Sequence, residues 1–159
     1  MHSWETTPMS IVSRPRSSQL PVRPALHDYV VDEKLAVELA KRARPYPVQA
    51  NDVLFRKGDA PKGIYLLRQG NVELTIHSGD QVVVCARAGA GSVLGLPSTV
   101  DDMPYSMTAT VCQEAEIEHL SSKDFHQLIE RHPELYLNVV QILAAEVRSV
   151  RKALGDLLS

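Results

Sequence analysis

The chain of 159 residues, 44% hydrophobic and 23% charged, has the size of one globular domain and little room for two well-buried cores. Its 17 Lys and Arg stand against 19 Asp and Glu, a formal net charge of -2, which argues against a surface built mainly to neutralise nucleic-acid phosphates. No apolar run reaches the roughly 18 residues of a membrane span, and no secretory leader pattern opens the chain, so a cytoplasmic location is expected.

Residues 1–26 hold four of the ten prolines and the run Ser13-Arg-Pro-Arg-Ser-Ser18, without apolar periodicity. They read as a flexible arm, leaving 27–159 as the domain. Leu35, Ala36, Leu39 and Ala40 then recur at helical spacing, predicting a helix over about 32–43 with Asp32 as N-cap and Arg42 and Arg44 near its end. Short β-branched segments follow at Tyr46–Ala50, Val53–Arg56, Ile64–Arg68, Val72–His77 and Gln81–Arg87, divided by turn signals such as Lys57-Gly-Asp59 and Ser78-Gly-Asp80. Val72-Glu-Leu-Thr-Ile76 alternates apolar and polar residues, as a half-buried antiparallel strand does. After the Gly-rich stretch 88–95, a polar loop over Pro97–Pro104 leads to strands Tyr105–Val111 and Ala115–Leu120, which complete a β-sandwich or jelly-roll barrel.

Ser121-Ser-Lys-Asp124 is a capping box with Asp in place of Glu and opens a helix over about 122–131; Pro133 suits the first turn of the next. In that last helix Tyr136, Val140, Leu143, Val147, Val150, Leu154 and Leu157 are spaced alternately four and three apart, a heptad seam. A second apolar set, Leu135, Val139, Ile142 and Ala145, is placed to cover the β-roll while the heptad row faces a twin helix, so a homodimer is expected.

Catalytic and metal chemistry find little support. Cys85 and Cys112 lack CxxC spacing and lie in apolar, strand-like runs, where cysteine acts as a small hydrophobe. His77 stands alone beside a turn, and no HxH or HExxH spacing occurs, so neither a metal site nor catalytic residues are expected.

The turns Phe55-Arg-Lys-Gly-Asp59 and Tyr65-Leu-Leu-Arg-Gln-Gly-Asn-Val72, then Gly91-Ser-Val-Leu-Gly95, then the long helix, follow a familiar order. From about Leu35 to Leu157 the chain resembles the cyclic-nucleotide-binding domain, the effector domain of the catabolite activator/fumarate-nitrate regulator superfamily. The resemblance implies a mainly β fold with flanking helices, a double-stranded β-helix (jelly-roll) followed by a long C-terminal dimerisation helix at about 133–158. The winged helix-turn-helix of the family's transcription factors has no counterpart in the sequence, so direct DNA binding is not expected.

The family's phosphate-binding cassette carries a Glu for the ribose 2′-hydroxyl and an Arg for the phosphate. The resemblance aligns it with Leu94-Gly95-Leu96 and Tyr105-Ser106-Met107: the glycine and serine match, while Leu96 replaces the Glu and Tyr105 the Arg. Candidate ligand contacts are Gly95, Leu96, Tyr105, Ser106 and Thr108, with Arg151 on the long helix where relatives touch the base. Arg151 would supply charge, or Asp101 or Asp102 would take the ribose; otherwise the pocket takes an uncharged, more apolar ligand. The ligand class is a cyclic nucleotide or another small-molecule effector. The reading is a stand-alone sensory domain that is not an enzyme, signals through its dimer helix and is read by a partner protein. Its alternatives are a ligand-free scaffold or interaction module and regulation of transcription in trans with a full-length relative.

Overall fold

The computed structural model describes residues 33–158. The arm at 1–26 and the Asp32 cap lie outside the described residues. Helix α1 (Glu33–Arg42) precedes eight strands: β1 (Arg44–Pro45), β2 (Val53–Phe55), β3 (Gly63–Gln69), β4 (Val72–Ser78), β5 (Gln81–Ala88), β6 (Val93–Leu94), β7 (Thr108–Val111) and β8 (Glu116–Ser121). The short helix α2 (Leu96–Asp101) lies between β6 and β7, and α3 (Ser122–Arg131), a 3-10 turn at Pro133–Leu135 and α4 (Tyr136–Leu158) close the chain. The antiparallel strands form two sheets in the orders β1-β8-β3-β6 and β2-β7-β4-β5. This is the jelly-roll arrangement, with helices at its flanks.

Residue type explains which faces turn inward. In β7, Ala109 and Val111 are buried while Thr108 and Thr110 are half-buried, and across the sheet Val72, Leu74, Ala86 and Ala88 join them in the core. In β3 all of Gly63–Leu67 is buried, because α3 packs over it and leaves no solvent face. Burial of so many aliphatic side chains, each worth about 1.5–3 kcal/mol, compensates for the scarcity of aromatic residues.

Three sequence expectations are corrected. Tyr46–Ala50 is not a strand: Pro45 and Pro47 lack N–H donors, so pairing with β8 is confined to Arg44–Pro45 and one further bond from Tyr46 N–H to the Ile117 carbonyl, 2.8 Å. The expected loop at Pro97–Pro104 begins as helix α2, with Pro97 in the first turn where no N–H is required. Residues 105–107 stay outside β7, whereas Val93–Leu94, inside the Gly-rich stretch, pairs with β3. The β4–β5 hairpin forms as expected, with Ser78 opposite Gln81 and Gly79 at φ +63° in the turn. Ser121 caps α3, its hydroxyl accepting the Asp124 N–H at 3.1 Å.

The two apolar sets of the last helix separate in space. Leu135, Val139 and Ile142 are buried against the core, whereas Tyr136, Val140 and Val147 are 47–50% exposed and Leu137 is more so. Leu143 is half-buried; the side chains of Val150, Leu154 and Leu157 lie outside the described part.

Candidate functional site: the Tyr105 plug

The cassette region is built from α2, the loop after it, and the turns on either side of β2 and β3. Gly95 precedes α2 at φ +81°, a left-handed conformation that suits glycine. A Cβ there would lie 3.0 Å from the Tyr105 ring and 3.1 Å from the Gly63 carbonyl oxygen, so the glycine also permits close packing. Its carbonyl accepts the Thr99 N–H and hydroxyl at 3.1 and 2.9 Å, and the Ser98 hydroxyl donates to the Pro104 carbonyl at 3.1 Å. These bonds hold α2 against the roll and fix the approach to Tyr105.

Tyr105 is 2% exposed and anchored along its whole length. Its backbone pairs with the turn after β2: Gly58 N–H donates to the Tyr105 carbonyl at 2.8 Å and Tyr105 N–H to the Asp59 carbonyl at 2.9 Å. The ring stacks on Phe55 with centroids 4.0 Å apart and planes 17° apart. The phenol oxygen accepts the Lys62 N–H and donates to the Gly63 carbonyl, each at 2.9 Å. Burial pushes the phenol's pKa up, against the opposing effect of the two backbone bonds, so the neutral hydroxyl that makes both bonds is the favoured form.

The same dipeptide is held from its other side by the His119 ring, 2.9 Å from the Lys62 carbonyl oxygen. Gly63, at φ +125°, could not carry a side chain there, because a Cβ would fall 2.1 Å from the Leu120 carbonyl oxygen. Tyr65, whose phenol burial also pushes up in pKa, completes the aromatic layer with Phe55 and His119.

Leu96 is buried and belongs to the hydrophobic core. Thr108, at the start of β7, accepts the Lys57 N–H on its hydroxyl at 3.0 Å and so braces the β2 turn. Ser106 and Arg151 are exposed, the first in a bend and the second on α4. Asp101 ends α2, and Asp102 follows it in the left-handed conformation with its N–H on the Ser98 carbonyl. The Gly91 N–H is already bonded to the Leu67 carbonyl at 2.8 Å and is not directed at a ligand. Gly95, Leu96 and Tyr105 are thus brought together, with Thr108 reaching the same turn from the other side.

Sequence reading missed the Phe55–Tyr105 stack and the Lys62–Gly63 cradle. The signal that could have found them is Gly63 itself, a glycine at the head of a strand where a side chain would be expected. No disulfide joins Cys85 and Cys112, and burial pushes the Cys112 thiol up in pKa, away from thiolate chemistry. Among the described residues no group of three or more His, Cys, Asp or Glu is placed to hold a metal ion, and no helix is long and apolar enough to cross a membrane.

Residues 46–132, from the Tyr46 loop to the end of α3, match the family described as the cyclic nucleotide-binding domain. The chain belongs to that family. It is 32% identical over 138 residues to the cyclic AMP receptor protein of Thermus thermophilus, covering 86% of this chain and 62% of that protein. The crystal structure of the Thermus thermophilus catabolite activator protein superposes with a TM-score of 0.65 at 28% identity, over 79% of this chain and 59% of that one. Lysophospholipase nte1 of Neurospora crassa is 28% identical over 103 residues, 64% of this chain but 7% of that protein, a likeness confined to one domain of a long chain. The chain therefore spans about three fifths of the bacterial relatives it matches, and the regulatory β-roll is what it shares with them.

Proposed function

We propose that this member of the cyclic nucleotide-binding domain family is a sensory domain whose cassette no longer holds a cyclic phosphate by charge. The observation that carries the reading is the Tyr105 phenol, bonded at 2.9 Å to both Lys62 N–H and Gly63 C=O. It occupies the position where the resemblance places the phosphate-pairing arginine, and Leu96 brings no carboxylate for the ribose. Losing a cation that meets a desolvated phosphate costs about 2–5 kcal/mol, roughly 30-fold to several thousandfold in affinity. An effector of this roll is accordingly less dependent on charge, touching Gly95, Leu96, Tyr105, Ser106 and Thr108, with Arg151 from α4.

The output is assigned to α4. Tyr136, Val140 and Val147 expose an apolar row while Leu135, Val139 and Ile142 bind the helix to the core, which supports a homodimer along the seam that continues through Val150, Leu154 and Leu157. Ligand in the roll would shift the pairing of the two helices, a change for a partner protein to read. The role is binding and not catalysis.

Thermal unfolding with cyclic AMP, cyclic GMP and cyclic dinucleotides at millimolar concentration tests the reading, beside a linear-nucleotide control. A ligand at ~100 times its dissociation constant stabilises by about 2.7 kcal/mol, several degrees for a domain of this size. Cyclic AMP and cyclic GMP are expected to give less than about 1 °C; a shift of several degrees with either would overturn the loss of the charged cassette. A second reading, a ligand-free interaction module, is favoured by Leu96 and Tyr105 both being core residues. It gains if the roll admits no small apolar molecule in a fragment screen.

A further inference from the structure

A cleft of about 300 Å³ opens between the last turn of α1, β1 and α3, lined by Lys41, Arg42, Arg44, Asp124, Gln127 and Arg131. Three separate elements thus bring four cations and one carboxylate to a single concavity, on a chain whose formal net charge is -2. Two of the cations are already compensated. Glu38 takes Lys41 at 3.1 Å and Arg42 at 3.2 Å, with His132 at 3.7 Å beyond them. Arg44 and Arg131 make no ion pair among the described residues.

The negative C-terminal ends of α1 and α3 account for Lys41, Arg42 and Arg131, which sit in the last turns of those helices. Arg44, two residues past the end of α1, is exposed on β1 opposite His119 of β8 and has no carboxylate partner among the described residues. An arginine held by strand pairing at the mouth of a cleft already lined by like charges raises the local potential, and an anion lowers it. The planar guanidinium also presents paired donors that match phosphate oxygens.

We propose that this cleft binds a compact, multiply charged phosphorylated anion, with Arg44 and Arg131 as its principal contacts and Lys41 and Gln127 beside them. The cleft's volume of about 300 Å³ suits a small ligand of high charge density rather than an extended acidic chain, and the Asp124 carboxylate opposes any anion there. Its repulsion acts at one point, which a polyanion gripped by two guanidiniums outweighs, whereas a peptide spreads its charge past the cleft.

The test is calorimetric titration of the full chain with inorganic triphosphate at low salt, with sulfate and a glutamate-rich peptide as comparators. Saturable one-to-one binding is expected, weakened about ten-fold by Arg44→Gln or Arg131→Gln and tightened several-fold by Asp124→Asn. Added salt should weaken it steeply. Both arginine side chains are exposed and make no ion pair, so circular-dichroism melts of those variants should match the parent and exclude misfolding as the cause. Absence of saturation at millimolar triphosphate would overturn the proposal, as would a double variant within two-fold of the parent. Tighter binding of the glutamate-rich peptide would overturn it too, and would reassign the surface to protein docking.

Discussion

Tyr105→Phe isolates the bond network that distinguishes this cassette. The substitution keeps the ring stacked on Phe55 at 4.0 Å and removes only the hydroxyl, which accepts from Lys62 N–H and donates to Gly63 C=O. Lys62 lies at the surface, so water can replace the phenol on its N–H; Gly63 is buried, and its carbonyl loses a partner without replacement. One unsatisfied buried group costs about 1–3 kcal/mol. For a domain of this size that is roughly 3–5 °C per kcal/mol, so a fall of about 6–10 °C is expected for a central value near 2 kcal/mol. Differential scanning fluorimetry, followed by urea unfolding to check that the slope is unchanged, reads this directly. The pH dependence provides an independent check. Burial raises the folded-state pKa of Tyr105 above its ordinary 10.0, so its contribution is complete below that value and is lost as pH rises through the folded pKa. The gap between parent and Tyr105→Phe must therefore narrow above pH 10. A melting temperature within about 1 °C of the parent at neutral pH would refute the claim that the phenol ties the cassette to β3.

The double change Leu96→Glu with Tyr105→Arg puts charge at the two positions the resemblance assigns to the cassette's Glu and Arg and, in protein whose melt shows that these core substitutions still fold, should tighten cyclic AMP binding by at least ~30-fold, read by calorimetry; unchanged affinity in folded protein would show that these side chains do not face the ligand. On α4, Val140→Glu with Val147→Glu is expected to leave the melting temperature nearly intact while shifting sedimentation to the monomer, whereas Leu135→Ala, buried in the 3-10 turn just before it, should cost about 2–5 kcal/mol. Gly63→Ala places a Cβ 2.1 Å from the Leu120 backbone oxygen at a positive φ, and should yield little folded protein in a solubility assay. Glu38 is held below its ordinary pKa of 4.5 first by its hydrogen bond from Lys41, which outweighs the opposing effect of desolvation, with Arg42 and the nearby His132 adding to the lowering. Its stabilisation is present above that value and is lost as pH falls through the lowered one. Glu38→Gln should therefore flatten the acid limb of a stability–pH curve.

Much of the architecture was legible because it rests on local rules. The turn residues at Ser78–Asp80 and the capping serine at 121 act within a few residues and formed as the chain predicted, whereas the alternation of Val72–Ile76 holds only through Leu74: Thr75 is buried and Ile76 half-buried, next to a register shift at His77. The second apolar set on the last helix also stood in the periodicity, and its Leu135, Val139 and Ile142 are buried. Proline marked the main local failures: Pro45 and Pro47 spoil a segment whose composition suits a strand, and Pro97 opens a helix in what looked like a loop.

Composition and pattern by themselves determined a single β-roll with helical flanks and a last helix with two apolar sets; the resemblance, not the pattern, marks Leu96 and Tyr105 as cassette positions. Only the tertiary structure decided what Tyr105 meets. Tyr105 meets Phe55 and the Lys62–Gly63 backbone across some 40 to 50 residues of chain, and Arg44 lines one cleft with Arg131 although they belong to separate elements. A side chain's nearest partners along the strand or helix are set by period. Its partners across the roll depend on how sheets twist and pack, and no local pattern encodes that.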